Sequence, residues 1–250
     1  MSNFGTTDFN NQVAIGAVDG WKVWNKFGYN ADIGIGTEII AEFGGTYTPM
    51  AAAETMSVVS TDANDTSAGT GATAVLITGV ADDYTPLEEL VFLNGVTPVL
   101  SVGAFRAINR VVIYLAGSLG SNAGRITITS SSGAVIQAAI PAGQGTTQQC
   151  IFTTTDTSTL LMKSLYISAL RQGGGNDPVL TLRGLVYSDV SKAVYEVFRT
   201  KLDTALENHI NFSQEIPFVV GIKSTIWFEC TTDKANTEVN MRFSFLESGL

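Results

Sequence analysis

Short apolar runs separated by polar turns fill most of the chain. The clearest region spans residues 55–95, where apolar runs of strand length at 58–59, 75–77 and 91–93 alternate with loops of Asp, Asn, Thr, Ser and Gly. Short runs rich in β-branched residues and bounded by turn residues are typical of β-strands. The pattern therefore predicts a chain built from β-strands.

The same pattern of short apolar runs and polar turns continues through the first half of the chain. The strongest segment contains Ile108, Val111, Val112 and Tyr114, which are β-branched or aromatic residues favoured in strands. Turn sequences such as Leu-Asn-Gly-Val supply the glycines that hairpins need. The strands predicted here lie at 55–60, 72–78, 87–93, 98–102, 106–116, 125–130 and 134–140.

The last residues show the clearest alternation in the chain. Val239, Met241, Phe243 and Phe245 alternate with polar neighbours, which indicates one buried and one wet face. We predict that residues 225–231 and 237–246 form a hairpin. Residues 191–210 fit both a helical face and a strand, and their strand-like neighbours favour the strand.

Residues 1–45 lack regular periodicity, but their aromatic residues include Trp21, Trp24, Phe27 and Tyr29. Aromatic side chains contribute strongly to buried contacts. We predict an irregular N-terminal arm, folded either over its own core or onto a neighbouring subunit, with these aromatics as interface candidates. The predicted fold is an all-β antiparallel sandwich or jelly roll. Its β halves, 46–142 and 143–250, form either two packed units or one continuous domain.

Composition limits the classes of partner. The 250 residues are 45% hydrophobic and only 15% charged, against about 25% charged in typical soluble domains. The net charge of −9 repels nucleic acids and anionic lipids. No apolar stretch approaches the length of a membrane span, and the first residues do not resemble a signal peptide. We expect no nucleic-acid partner, no membrane and a chain made in a cytoplasm, with Cys150 and Cys230 as buried free thiols.

Catalytic chemistry is sparse in the sequence. The one histidine, His209, has no recognisable nucleophile or metal partner in the sequence around it, and no catalytic or phosphate-binding motif occurs. Adjacent carboxylates such as Asp82 and Asp83 would point to opposite sides of a strand, and we expect them in a turn. The sequence therefore predicts no enzyme, no catalytic residue and no cofactor.

One loop has a pattern that resembles the start of a calcium site. Oxygen-bearing side chains at Asp62, Asn64 and Asp65 are suitable ligands for calcium, but the later bidentate Glu of an EF-hand loop is missing. A solvent-exposed turn explains the same residues, and we predict a turn that contacts a neighbouring protein. Under that hypothesis, replacing Asp62 and Asp65 with Ala weakens assembly and leaves the melting temperature nearly unchanged.

Several segments together resemble a family of virion structural proteins of tailed bacteriophages. They are NKFGYNADIGIGTE, FGGTYTP, SVVSTDANDTSAGTGATAVLITG, ELVFLNGVTPV and FRAINRVVIYLAGSLGSNAGRITIT, which cover roughly residues 24–129. The resemblance implies a β protein of the virion, made in the cytoplasm of the host bacterium.

Within the virion, the resemblance implies a capsid decoration or cement protein or a head-fibre-like component. Its expected partners are the major capsid protein or other virion proteins, and its expected assembly is a homotrimer. The alternative is a receptor- or glycan-binding module near the neck or tail. For that alternative, Tyr47, Tyr84 and Trp227 are the candidate exposed aromatics.

Overall fold

The structure is a computed structural model that describes residues 9–133, 135–172, 177–213 and 218–249. Within these residues it contains one short helix, α1 (Phe9–Ala14), and otherwise β-strands. The prediction of an all-β antiparallel sandwich is confirmed. The strands are β1 (Trp21–Ile33), β2 (Gly36–Ile39), β3 (Glu54–Ser60), β4 (Ala72–Val80), β5 (Pro86–Phe92), β6 (Val99–Phe105), β7 (Ala107–Ala116), β8 (Ile126–Ser130), β9 (Ile136–Ile140), β10 (Ile151–Thr153), β11 (Thr159–Arg171), β12 (Val179–Ser188), β13 (Ala193–Asp203), β14 (His209–Ser213), β15 (Val219–Val220), β16 (Ser224–Thr232) and β17 (Thr237–Ser248).

Strands β3 to β9 form a first sandwich of two antiparallel sheets. Sheet I has the order β6-β3-β8-β9, and sheet II has the order β5-β4-β7. Alternation drives this packing: Met56 and Val58 of β3 point into the core, while Ser57 between them is only half-buried. Apolar residues from both sheets close the core, including Val75, Ile77, Phe105, Val111, Ile126, Ile128 and Ile140.

The second sandwich combines β1 with the strands that follow residue 150. Sheet III has the order β1-β17-β11-β14, with β15 also paired to β11, and sheet IV has the order β10-β16-β12-β13. Aromatic rings fill the space between these sheets. The ring centroids of Phe152 and Phe245 are 4.7 Å apart, and those of Phe228 and Phe243 are 5.0 Å apart.

The prediction of an irregular N-terminal arm is wrong for Trp21–Ile33, which forms the long strand β1 and pairs with β17. The strand escaped detection because its buried positions, apart from Ile33 at its end, are not hydrophobic. Lys26, Gly28 and Asn30 alternate as buried residues. A Cβ on Gly28 would lie 2.5 Å from the Cys150 sulfur, so the strand needs glycine there to pack closely.

The predicted C-terminal hairpin is also wrong, although both of its strands exist. Strand β16 lies in sheet IV and β17 lies in sheet III, so the two strands face each other across the core. Strand β16 is buried along nearly its whole length, because β2 and the segment that follows it, including Ala41 and Tyr47, cover its second face. A central strand of this kind cannot be half of a wet hairpin.

Residues 191–210 contain strand β13 and the start of β14, which confirms the strand interpretation. Strand β13 lies at the edge of sheet IV and pairs with β12 alone among the described strands. Its apolar residues resemble a helical face because a bulge opposite Gly184 and Leu185 interrupts its alternation.

Polar contacts join the two sandwiches. The Asn109 side chain of β7 accepts a hydrogen bond from Thr153 N at 2.7 Å and donates one to Thr153 O at 2.9 Å. Arg106 reaches Asp189 across the same junction, with 3.1 Å between Nη2 and Oδ1. The sandwiches are therefore held together by directed hydrogen bonds that fix how their outer faces are placed.

Candidate interaction surfaces

The four aromatic residues predicted as interface candidates divide into two pairs. Trp24 packs on the core with its ring centroid 5.1 Å from that of Phe152, and its Nε1 donates to Glu247 Oε2 at 2.7 Å. Trp21 packs edge-to-face against Phe9 of α1 at 5.3 Å. These two tryptophans therefore have structural contacts, and Phe27 and Tyr29 are the pair that faces outward.

Strand pairing arranges the outer face of sheet III in regular rows. Phe27 of β1 lies beside Arg242 of β17, which lies beside Tyr166 of β11. In the adjacent row of the same outer face, Tyr29 of β1 lies beside Asn240 of β17. We call these five residues the aromatic face of sheet III. Phe27 exposes 43% of its surface, so its ring is available for contact.

A groove runs along one side of this aromatic face. It has a volume of about 490 Å³ and is lined by Phe27, Tyr29, Glu42, Gln144 and Gln148, with further residues from the same segments. A smaller groove of about 250 Å³ continues over Tyr166 and Arg242. The two grooves share Phe27 and Asn240, so they meet on the aromatic face.

Glu42 in the groove wall already has a partner. Arg125 binds both of its carboxylate oxygens, with Nε 2.7 Å from Oε1 and Nη2 2.8 Å from Oε2. Such a bidentate pair is geometrically specific and charge-assisted. The groove therefore presents its amides and rings to a ligand, and the negative charge of Glu42 is neutralised.

A second surface, the outer face of sheet II, is predominantly apolar. Its first row is Phe92, Ala74 and Leu115, and the next is Leu90, Leu76 and Val112. Phe92 exposes 56% of its surface and Leu115 exposes 45%. A polar row of Glu88, Thr78 and Arg110 borders the apolar rows. Phe92, Leu90 and Leu115 are exposed, whereas Leu76 and Val112 are half-buried and Ala74 is buried. Exposed apolar residues grouped in this way are typical of interaction sites.

The calcium interpretation of the loop at Asp62, Asn64 and Asp65 is not supported, because Asp65 is fully buried and its carboxylate is saturated. The carboxylate accepts hydrogen bonds from Ser60 Oγ at 2.5 Å and from the amides of Ala72, Ala123 and Gly124 at 2.7 to 2.9 Å. Asp62 instead binds the Asn64 amide at 2.8 Å in an exposed turn. In the described part of the chain, no group of three or more His, Cys, Asp or Glu residues is placed to hold a metal ion.

Asp65 is therefore a structural residue, and the prediction that its loss leaves the melting temperature unchanged is inconsistent with this geometry. Sequence patterns missed this role of Asp65 because two of its four hydrogen-bond donors come from a distant segment. Ala123 and Gly124 lie almost sixty residues further along the chain.

The aromatics predicted for a glycan-binding module do not share an exposed face. Tyr84 and Trp227 are buried, and Tyr47 packs against Trp227 with 5.6 Å between ring centroids. On the outer face of sheet III, the aromatic residues are instead Phe27, Tyr29 and Tyr166. The alternation of inward and outward residues within each strand indicates that these three side chains point outward. Only the pairing of the strands shows that they lie on the same face.

The remaining titratable residues considered in the sequence are the two cysteines, His209 and Asp83. Cys150 and Cys230 are buried free thiols, as predicted, and burial raises the pKa of Cys230 to about 12. His209 is exposed, with its Nδ1 3.1 Å from Asn208 Oδ1. Asp83 lies in a turn, as expected, and hydrogen bonds from Thr85 lower its pKa.

Lys26 is the unusual group, since its amine is buried at the junction and donates to the backbone carbonyl of Asn109. Burial, together with the charge of Arg110, lowers the pKa of Lys26 to about 7.

The chain matches no family model and no curated protein sequence. Among solved structures it is similar to T=1 particles derived from infectious bursal virus, with 10% identity over 93% of this chain and 75% of that chain and a TM-score of 0.21. It is also similar to the infectious bursal disease virus VP2 subviral particle, with 12% identity over 92% of this chain and 72% of that chain and a TM-score of 0.19. Likenesses this low carry no argument about function. No helix among the described residues is long and apolar enough to cross a membrane.

Proposed function

We propose that the chain is a structural protein of a tailed-bacteriophage virion and that it acts by binding other virion proteins rather than by catalysis. The finer assignment is a capsid decoration or cement protein, or a head-fibre-like component. The resemblance of residues 24–129 to phage virion proteins supports the class of protein. The apolar outer face of sheet II is the observation that carries the mode of action.

This face has the anatomy of a protein interface. Two apolar rows lie side by side, and the row of Glu88, Thr78 and Arg110 forms a polar border. Interfaces commonly combine an apolar centre with a polar rim. Leaving Phe92 and Leu115 in water forgoes the free energy gained by burying them, about 25 cal/mol per Å² of apolar surface. Docking of this face recovers that free energy.

The proposed partners are the major capsid protein or another virion protein, together with two further copies of the chain in a homotrimer. The low charge of the chain, 15% charged residues, reduces the desolvation cost of packing subunits together. The protein is then made in the bacterial cytoplasm and becomes part of the virion.

The test measures assembly in a variant with a polar outer face. Phe92→Ser combined with Leu115→Ser removes two exposed apolar residues without entering the core. We expect the wild-type protein to sediment as a trimer and to co-sediment with capsids that were assembled without it. The variant should bind capsids at least about tenfold more weakly.

The matched control is Val194→Ser on β13, a residue as exposed as Phe92. It should leave both trimerisation and capsid binding unchanged. If the wild-type protein is monomeric and does not bind capsids, the result contradicts the proposed function. Unchanged binding by the double variant, with an unchanged melting temperature, contradicts the use of this face.

A further inference from the structure

We propose that the aromatic face of sheet III, with its adjoining groove, binds an oligosaccharide that carries carboxylate groups. The aromatic face lies on the second sandwich, and the site uses none of the residues of the outer face of sheet II. Oligosaccharide binding at this site can therefore be tested independently of assembly through the outer face of sheet II.

The first argument is the arrangement of the rings. Phe27 and Tyr29 lie two residues apart on β1, so their side chains leave the same side of the strand roughly 7 Å apart. Tyr166 lies two strands away from Phe27 in the same row. Sugar rings present C–H groups on their faces, and these groups pack against aromatic rings. Three separated rings offer successive stacking positions.

The second argument is that polar side chains lie between and beside the rings. Asn240 lies next to Tyr29, and Gln144 and Gln148 line the groove wall. A carboxamide both donates and accepts, which matches adjacent sugar hydroxyls. Gln148 Nε2 donates to Gln144 Oε1 at 3.3 Å, while the amide nitrogen of Gln144 and the hydroxyl of Tyr29 have no hydrogen-bond partner among the described residues.

The interleaving of rings and amides distinguishes this surface from the outer face of sheet II. On sheet II the apolar residues occupy neighbouring positions in two adjacent rows, which suits a protein partner. On sheet III each ring has a polar neighbour in its row. A ligand with apolar ring faces and hydroxyl edges complements this alternation, and an oligosaccharide is such a ligand.

The third argument is charge complementarity. Arg242 is exposed between Phe27 and Tyr166, and no carboxylate lies within ion-pair distance of its guanidinium in the part of the chain that the structure describes. A guanidinium binds a carboxylate through two parallel hydrogen bonds. Two carboxylates lie beside the face: Glu42 is neutralised by Arg125, and Glu238 accepts hydrogen bonds from the side-chain amides of Gln172 and Asn240. An unpaired cation in a chain of net charge −9 therefore selects an acidic sugar.

The experiment screens the purified full chain against immobilised oligosaccharides that contain uronic or sialic acids. Each probe is paired with its carboxyl-reduced form. We expect the wild-type protein to retain an acidic probe at least about tenfold more tightly than its reduced partner. Arg242→Gln should abolish this preference, and Phe27→Ala should weaken binding of both forms about tenfold.

Matched controls come from strand β13. Tyr195→Ala removes a ring with the same 43% exposure as Phe27, and Arg199→Gln removes an exposed guanidinium. Both should bind like the wild type, and all four variants should keep the wild-type melting temperature.

Three results would overturn the proposal. The first is that no acidic probe binds, and the second is that the acidic and reduced forms bind equally. The third is that polyglutamate competes as well as the best sugar, which would assign the surface to an acidic protein partner.

Discussion

At the scale of single residues, Asp65 lies in a polar loop but has the environment of a core residue. Its two carboxylate oxygens accept hydrogen bonds from three backbone amides and one hydroxyl, which belong to three separate segments. Gly71 allows this close packing, since a Cβ there would lie 2.1 Å from Asp65 Oδ1. The loop after β3 is therefore fixed by one carboxylate.

We predict that Asp65→Ala lowers the free energy of unfolding by more than about 3 kcal/mol, because it leaves several buried donors without acceptors. Asp62→Ala, in the exposed part of the same loop, should cost less than about 1 kcal/mol. Urea unfolding of both variants measures the difference. Equal and small losses would show that the buried donors find other acceptors.

Lys26 leads to a prediction about pH. Its pKa is about 7 in the folded protein and 10.5 in the unfolded chain, so the unfolded chain binds more protons between these values. The free energy of unfolding should therefore rise with pH above 7, by up to about 1.4 kcal/mol per pH unit. Below pH 7 the contribution of Lys26 is constant.

Urea unfolding at about pH 7.5 and about pH 8.5 measures this slope. Both values lie below 9.0, the ordinary pKa of a cysteine thiol in an unfolded chain. Lys26→Met should flatten it, since methionine fills a similar volume without a charge. Lys22→Met, at an exposed neighbour on β1, should keep the wild-type slope. A slope unchanged in Lys26→Met would show that another group causes it.

At the scale of elements, Glu89 protects the edge of sheet I. Its carboxylate reaches from β5 across the open side of the first sandwich and accepts the amides of Val102 and Gly103, each at 2.7 Å. Leu100 and Val102 on this edge strand are exposed. Unpaired amides on an apolar edge invite pairing with another chain.

We predict that Glu89→Ala increases self-association, because two amides of β6 become free to pair. Light scattering during incubation at constant concentration should show particle growth in this variant. Glu88→Ala, which changes the neighbouring exposed carboxylate, should resemble the wild type. Equal growth in both variants would attribute the effect to net charge.

The strands were predictable from the sequence wherever the alternation of hydrophobic and polar residues matches the alternation of buried and exposed side chains. Strand β3 is an example, because its inward positions include Met56 and Val58. Strand β1 was not, because Lys26, Gly28 and Asn30 occupy three of its four buried positions and owe their burial to hydrogen bonds and close backbone packing. Pairing of β16 was misassigned because alternation within a strand says nothing about its neighbours.

At the scale of the whole molecule, the junction between the sandwiches depends on a few directed contacts. We predict that Asn109→Ala, which removes both hydrogen bonds to Thr153, separates the unfolding of the two sandwiches. Calorimetry should show one transition for the wild type and two for the variant. Asn208→Ala, an exposed amide on the second sandwich, should keep a single transition.

The candidate surfaces were only partly predictable from the sequence. Phe27 and Tyr29 could be selected as large aromatics, but Trp24, selected by the same criterion, packs into the core. Tyr166 and Arg242 joined them only through strand pairing between segments far apart in the chain. Surfaces made in this way depend on register, which local patterns do not specify.

The pairing of β1 with β17 also sets an order of events during synthesis. Trp24 and Glu247 are 223 residues apart, yet they share a hydrogen bond in one sheet. The first sandwich is contiguous between β3 and β9, so it can fold while the ribosome is still translating the rest. Strand β1 must wait, with its tryptophans unprotected, until β17 emerges. The nascent chain therefore passes through a stage at which its earliest strand is the part most exposed to mispairing or to chaperones.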